Sequence, residues 1–162
     1  MSRSQTQPET PDPAMQNPAA RARWMGVLAR ARADRLAELL AELLPDLPEH
    51  TALRPPEVGA VMVRGRIGGT GGPFNLGEMS VTRCSVRLAD GAVGHAHVQG
   101  RDKGHARRAA VVDAMMQSGA AVDLRPLLDT LAAEEAARRQ DRAQQAAATR
   151  VEFFTLVRGE DK

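Results

Sequence analysis

Apolar residues recur at helical spacing in four stretches of this chain and alternate with polar ones between them. Asn17-Pro18 predicts a helix start, with Pro at the first helical position and Trp24, Met25, Val27, Leu28 and Ala31 as its apolar side. A second helix begins near Asp34. Its Leu36, Leu39, Leu40, Leu43 and Leu44 fall at i, i+3, i+4, i+7 and i+8, one continuous face, and Pro45 stops it. The four prolines between Pro45 and Pro56 read as an extended connector.

The pattern then changes to period two. Glu57 to Ile67 is predicted as a strand in which Val61, Val63 and Ile67 alternate with Met62, Arg64 and Arg66. The glycines at 68, 69, 71 and 72 free the backbone for a close approach, and Pro73 ends that run. A second strand is expected from about Met79 to Ala89. Asp90-Gly91 is then a two-residue hairpin signal. Such a turn pairs Leu88 with Val93, Val86 with His95 and Cys84 with His97. It would place Cys84, His95 and His97 on one face with Val86, Leu88 and Val93. If the three strands share their apolar face, Arg64, Arg66, Arg83 and Arg87 gather on the other.

After Val98 the chain turns through Gln99-Gly100-Arg101. Asp102 is placed to cap a helix from Lys103 to about Ser118, with Gly119 at its end. Pro126 opens a last helix reaching about Thr149, anchored by Leu124, Leu127, Leu128 and Leu131. From Glu134 to Arg150 only alanines interrupt the charge, so this part is solvated or packed on another chain. The run Val151–Val157 is strongly apolar and either closes the domain's own core or inserts into a partner. Residues 1–16 are Pro-, Ser-, Thr- and Gln-rich without apolar period and are expected to be disordered. The expected architecture is therefore α+β. A small, mainly antiparallel sheet carries two N-terminal helices, one helix after the hairpin and a long C-terminal helix, as a single domain over 17–162.

Composition narrows the chemistry. The apolar fraction is 43%, yet the aromatics are only Trp24, Phe74, Phe153 and Phe154, so the core is built from Leu, Val, Ala and Met. Stacking platforms for single-stranded nucleic acid are scarce. The single cysteine, Cys84, allows no internal disulfide and fits a reducing cytoplasm. No apolar run approaches membrane length and no signal-peptide pattern opens the chain, so neither is expected. Net charge is +2, but Arg54–Arg108 holds nine Lys/Arg against four Asp/Glu, a local +5. Such a basic centre suits phosphate groups or an acidic partner.

Two turns carry this charge. The first is Arg64, Arg66, Gly68, Gly69, Thr70 and Gly71. Its G-G-T-G-G lacks the Lys-Ser/Thr of a P-loop and joins strand to strand, so it is neither that motif nor a dinucleotide fingerprint. The second is Gln99, Gly100, Arg101, Lys103 and His105. Here a strand end, a glycine turn and a helix N-terminus make a generic anion- or partner-binding site. Cys84, His95 and His97 could form a metal trio, or Cys84 and His97 a nucleophile and base, but the apolar company favours a buried, inert thiol. No carboxylate pair stands out for acid–base work. The residues alone leave open an anion-binding or partner-binding domain, a basic nucleic-acid-binding domain and a small Cys/His metalloprotein. They point to no catalytic residue and no metal ligand.

Four segments together resemble one family. They are R-A-R-W-M-G-V-L-A at 21–29, R-I-G-G-T-G-G…T-R-C-S-V-R-L-A-D-G at 66–91, V-Q-G-R-D-K-G-H-A…D-A-M-M-Q at 98–117 and R-V-E-F-F-T-L-V-R-G at 150–159. They are similar to PhnG, the G subunit of the bacterial carbon–phosphorus lyase system for phosphonate breakdown, from about residue 20 onward. The resemblance implies a cytoplasmic core complex with H, I and J subunits. With the L subunit, that complex displaces adenine from ATP by methylphosphonate to give alpha-D-ribose 1-methylphosphonate 5-triphosphate. It assigns the nucleosidase-like activity to the I subunit and the later radical cleavage to J. The G subunit is then required but non-catalytic and binds no cofactor alone, ATP being a substrate of the complex. One departure stands out: His95 and His97 occupy positions that are bulky and aromatic in that family.

Overall fold

In the computed structural model of the protein, residues 17–118 and 122–148 are described. The Pro-rich tail, Gly119 and the apolar run 151–157 lie outside them. Helix α1 (Pro18–Arg30) starts where expected: the Asn17 side chain accepts the Ala19 N–H at 2.9 Å and Pro18 occupies the first turn. Its Trp24 and Leu28 are buried. Helix α2 (Ala33–Leu43) buries Leu36 and Leu40 from the predicted leucine face. The sheet is antiparallel, with order β1 (His50–Arg66), β2 (Pro73–Leu88), β3 (Val93–Gln99). Helices α3 (Lys103–Ser118) and α4 (Arg125–Ala148) complete the α+β architecture.

Two strand boundaries differ from the reading of the sequence. β1 begins at His50 and runs through Pro55-Pro56, with register shifts on either side of Arg54. An edge strand tolerates proline because its outer N–H groups need no ladder partner. β2 begins at Pro73, directly after the glycine turn, so the first two strands form a long ribbon.

The hairpin register also differs, by one residue. Gly91 donates to the Leu88 carbonyl at 3.0 Å, Leu88 donates to the Ala92 carbonyl at 2.9 Å, and Gly91 has φ +92°. This is a three-residue loop with a left-handed glycine at its end, not the two-residue turn. Arg87 therefore pairs with Val93, Ser85 with His95, Cys84 with Ala96 and Arg83 with His97. A slip of one residue exchanges every side chain of β3 between faces. Gly94, Ala96 and Val98 join Cys84, Val86 and Leu88 inside, while His95 and His97 are exposed.

Helix α3 covers that inner face. Its buried Ala106, Ala109, Ala110 and Ala114 carry little bulk, so the helix lies close to the sheet. At Gly94 an added Cβ would stand 1.9 Å from the Ala110 carbonyl oxygen. The core is completed by Trp24, Leu28, Leu36, Leu40, Met115 and Leu131.

One polar residue sits inside it. Asp113, in the middle of α3, has no exposure. Its carboxylate accepts from Trp24 Nε1 at 2.8 Å, from Arg21 through Nε at 3.2 Å and Nη2 at 2.7 Å, and from the His95 N–H at 2.8 Å. Gln117 donates to it at 3.3 Å and to the Val93 carbonyl at 3.0 Å. Helix α1, strand β3 and helix α3 thus meet on one carboxylate. A buried charge is tolerated only when paired and saturated with hydrogen bonds, and removing it strands every donor at once. Asp113→Ala is expected to lower stability by about 3 kcal/mol. Arg21→Ala should cost less, because its guanidinium side chain is 30% exposed. Urea unfolding of the two variants checks this; a loss below about 1 kcal/mol for Asp113→Ala would contradict the bond pattern.

Candidate functional site

The turn between β3 and α3 is built from its glycine. Gly100 has φ +88°; its N–H donates to the Ser80 carbonyl at 2.9 Å and its carbonyl accepts Thr82 Oγ1 at 2.8 Å. This locks the turn to β2 and aims the following residues at α3. Asp102 caps the helix as expected: Oδ1 accepts the His105 N–H at 2.8 Å and its carbonyl accepts the Ala106 N–H at 3.2 Å. Gln99, Arg101 and Lys103 are exposed, and Arg101 and Lys103 form no ion pair among the described residues. One turn later the Nε of Arg108 is buried without a hydrogen-bond partner among the described residues. Its guanidinium lies against the bare Cα of Gly104, where an added Cβ would be 3.3 Å from a terminal nitrogen.

His105 faces the other way. It is buried, and its Nε2 is 2.9 Å from the Leu28 carbonyl. Burial pushes its pKa down, so the neutral ring donates from Nε2 to that carbonyl. His105 thus ties α3 to α1, and the solvent-facing part of this turn is Gln99 through Lys103.

The glycine turn of the ribbon is a separate place. A single 3-10 turn at Ile67–Gly69 is closed by Thr70 and Gly71, whose N–H groups both donate to the Ile67 carbonyl. Gly68 and Gly69 have φ +58° and +82°, and at Gly71 a Cβ would stand 2.6 Å from that carbonyl oxygen. Arg66 donates to the Gly71 carbonyl at 3.2 Å, and Arg64 projects one rung below. Gln99 pairs with Val81 and Arg64 with Asn75. Those rungs are six positions apart on β2, about 20 Å at strand rise. The two glycine-rich turns that sequence reading grouped as one centre therefore lie at different points of one sheet.

The four arginines expected to form a patch are similarly drawn out. Arg64 and Arg66 lie on the distal ribbon, while Arg83 pairs with Glu57 at 3.4 Å and Arg87 lies opposite Thr51. The possible metal trio is not assembled. Cys84 is on the core face with its thiol pushed up in pKa by burial and donating to the Arg54 carbonyl at 3.5 Å. His95 and His97 are on the opposite face, His95 against Ser85 Oγ at 2.8 Å. Among the described residues no three His, Cys, Asp or Glu side chains are placed to hold a metal ion. No described helix is long and apolar enough to cross a membrane.

The feature the sequence reading missed is the ribbon itself. Among the described residues β3 pairs only with Val81–Arg87, so Ala60–Arg66 and Pro73–Ser80 continue as two strands alone. The even-numbered β2 residues that α3 covers from Thr82 to Leu88 continue outward as Ser80 and Glu78, and the register shift at Val63/Arg64 then puts Phe74 and Leu76 beside Gly65 on the other face. Val58 and Met62 share the face of Thr82 and Glu78, which they oppose. Leu76 is 66% exposed and Met62 51%. Of the seven large hydrophobics exposed among the described residues, six lie between Leu53 and Leu76. The ribbon thus carries exposed apolar side chains on both of its faces beyond the reach of the helix. The signal in the sequence was the pair Phe74 and Leu76 at period two, ahead of the expected strand start.

A family model described as Phosphonate metabolism protein PhnG matches residues 19–159. A protein of Rhizobium meliloti (strain 1021), alpha-D-ribose 1-methylphosphonate 5-triphosphate synthase subunit PhnG, is 49% identical over 144 residues, which cover 88% of this chain and 92% of that protein.

The two roles within the strand–helix turn are separable. Asp102→Ala should lower stability by about 1 kcal/mol through loss of the cap. Arg101→Ala, at an exposed side chain, should change stability by no more than about 0.5 kcal/mol and instead impair the function of the assembled protein. Thermal melts paired with activity of the reconstituted assembly distinguish them; an Arg101→Ala protein with full activity would leave the turn as a capped helix start alone.

Proposed function

Since the chain belongs to the PhnG family, we propose that it is a subunit, contributing no catalytic group, of an assembly that makes alpha-D-ribose 1-methylphosphonate 5-triphosphate. In the reaction a phosphonate oxygen replaces adenine at the ribose carbon of ATP, and adenine leaves. The companions are the H, I and J subunits of a carbon–phosphorus lyase core complex, with the L subunit, in the cytoplasm. The observation that carries this reading is the apolar ribbon, which no described helix covers. Two strands alone are marginal in water, and a ribbon with apolar side chains exposed on both faces marks a surface that is buried in the working state.

Within this reading residues 17–162 act as one domain and the predicted site residues act in two places. Arg64, Arg66 and Gly68–Gly71 meet a companion at the ribbon tip. Gln99, Gly100, Arg101 and Lys103 meet an anion or a partner carboxylate beside α3, with His105 holding the helix in place from behind. Charge-assisted bonds from Arg101 would contribute roughly 1.5–3 kcal/mol each if desolvated. ATP is a substrate of the assembly, not a cofactor of this chain.

Met62→Asp and Leu76→Asp test the reading. Both side chains are solvent-exposed in the free chain, so each substitution should change its stability by no more than about 0.5 kcal/mol. Each should nevertheless remove the chain from complexes purified through a tagged companion and abolish adenine release from ATP and methylphosphonate. Leu43→Asp, exposed outside the ribbon, should assemble normally. Stoichiometric recovery of the ribbon variants with companions, or adenine release by this chain alone, would overturn the proposal.

A further inference from the structure

An open cleft of about 500 Å³ lies between the end of β3, the end of α1 and the second half of α4. Four arginines line it. Arg138, Arg139 and Arg142 come from α4, and Arg30 is the last residue of α1. Among the described residues Glu135 and Asp141 are its two carboxylates, so this lining carries a net +2. Gln99, at the end of β3, closes one side.

The arrangement is organised before any ligand arrives. Glu135 is buried and accepts from Arg30 Nε at 2.5 Å and from Arg139 Nη2 at 2.9 Å. One carboxylate thus fixes two guanidiniums, and Arg30 first, then Arg139, holds it ionised. A guanidinium has five N–H donors, so both keep donors to spare. Among the described residues Arg138 reaches Glu134 at 3.9 Å, and Arg142 donates to the Arg138 carbonyl at 3.3 Å. Arg138 and Arg142 stand one turn apart, about 6 Å along the axis. Linked phosphates can span that spacing and keep both forks engaged, whereas a single phosphate would lose one. Planar guanidinium forks match phosphate oxygens in pairs.

We propose that this cleft binds a polyphosphate chain, such as the triphosphate of a nucleotide or of a ribose 5-triphosphate. The identity of the nucleotide rests on the function proposed above; the affinity for polyphosphate does not. Asp141 at the same cleft disfavours a weakly held monoanion, which sharpens the preference for a multiply charged one.

Calorimetric titration of the full chain with inorganic tripolyphosphate, at fixed moderate salt, tests this. One saturable site is expected, at least about tenfold tighter than orthophosphate. Arg142→Ala should melt like the parent and weaken binding at least about fivefold, Arg142→Lys should restore only part of it, and Arg64→Ala on the ribbon should leave it unchanged. No saturable binding, equal weakening by Arg64→Ala, or equally tight binding of a poly-glutamate peptide would overturn the proposal. Co-purification of Arg142→Ala with companions is scored separately. A parent chain that assembles but does not bind tripolyphosphate removes the cleft site and leaves the subunit reading intact; a parent chain that binds it but never assembles does the reverse.

Discussion

A single buried carboxylate sets the relation between the parts of this protein. Asp113 lies under α1, against the outer edge of β3, and inside α3. Its charge could not remain there without several donors, and the donors it uses come from different elements. Trp24 and Arg21 fix the angle at which α1 crosses. The His95 N–H belongs to the open edge of β3, so Asp113 also satisfies a backbone group that the sheet would leave unpaired. Gln117, one turn later in α3, spans from the same carboxylate to the Val93 carbonyl at the start of that edge. His105 repeats the device at the other end of α3, tying it to the Leu28 carbonyl of α1.

That anchoring explains where the fold stops. Helix α3 is held over β3 and the proximal half of β2, where Gly94 and the alanines permit close contact. It does not reach the distal ribbon, which presents Met62 on one face and Phe74 and Leu76 on the other to solvent. Phe74 lies over Gly65, 3.3 Å from where a Cβ would be, and this is a small local contact for so much apolar surface. The arginine cleft lies away from the ribbon, on the side of α1 and α4, so a companion on the ribbon and an anion in the cleft need not compete.

Much of the fold was legible in the sequence because its signals are local. Asn17-Pro18, the leucine spacing of α2, Asp102 and Pro126 each mark a helix by chemistry within one turn. The hairpin register was not legible, because Asp90-Gly91 serves two- and three-residue loops alike and only the loop length decides which face His95 and His97 take. The small Gly94 and Ala96 were the available clue, since a helix can approach a strand most closely there. The prolines at 55 and 56 hid the first part of β1, which is an edge. Asp113 was hidden for the opposite reason: in A-A-V-V-D-A-M-M it is one acid in an apolar helix, and its partners lie 18 and about 90 residues away. The candidate site divided because sequence proximity says nothing about the length of an unpaired ribbon.

Backbone hydrogen exchange, followed for the free chain and for the same chain in a complex purified through a tagged companion, tests the central claim most directly. In the free chain the ribbon amides of 60–66 and 73–80 should exchange rapidly, while those of 82–88 and 93–98, beneath α3, should be protected. In the complex the ribbon should become protected and the region beneath α3 should change little. A ribbon that exchanges as fast in the complex as in the free chain would contradict the claim that it is the surface by which this subunit is held.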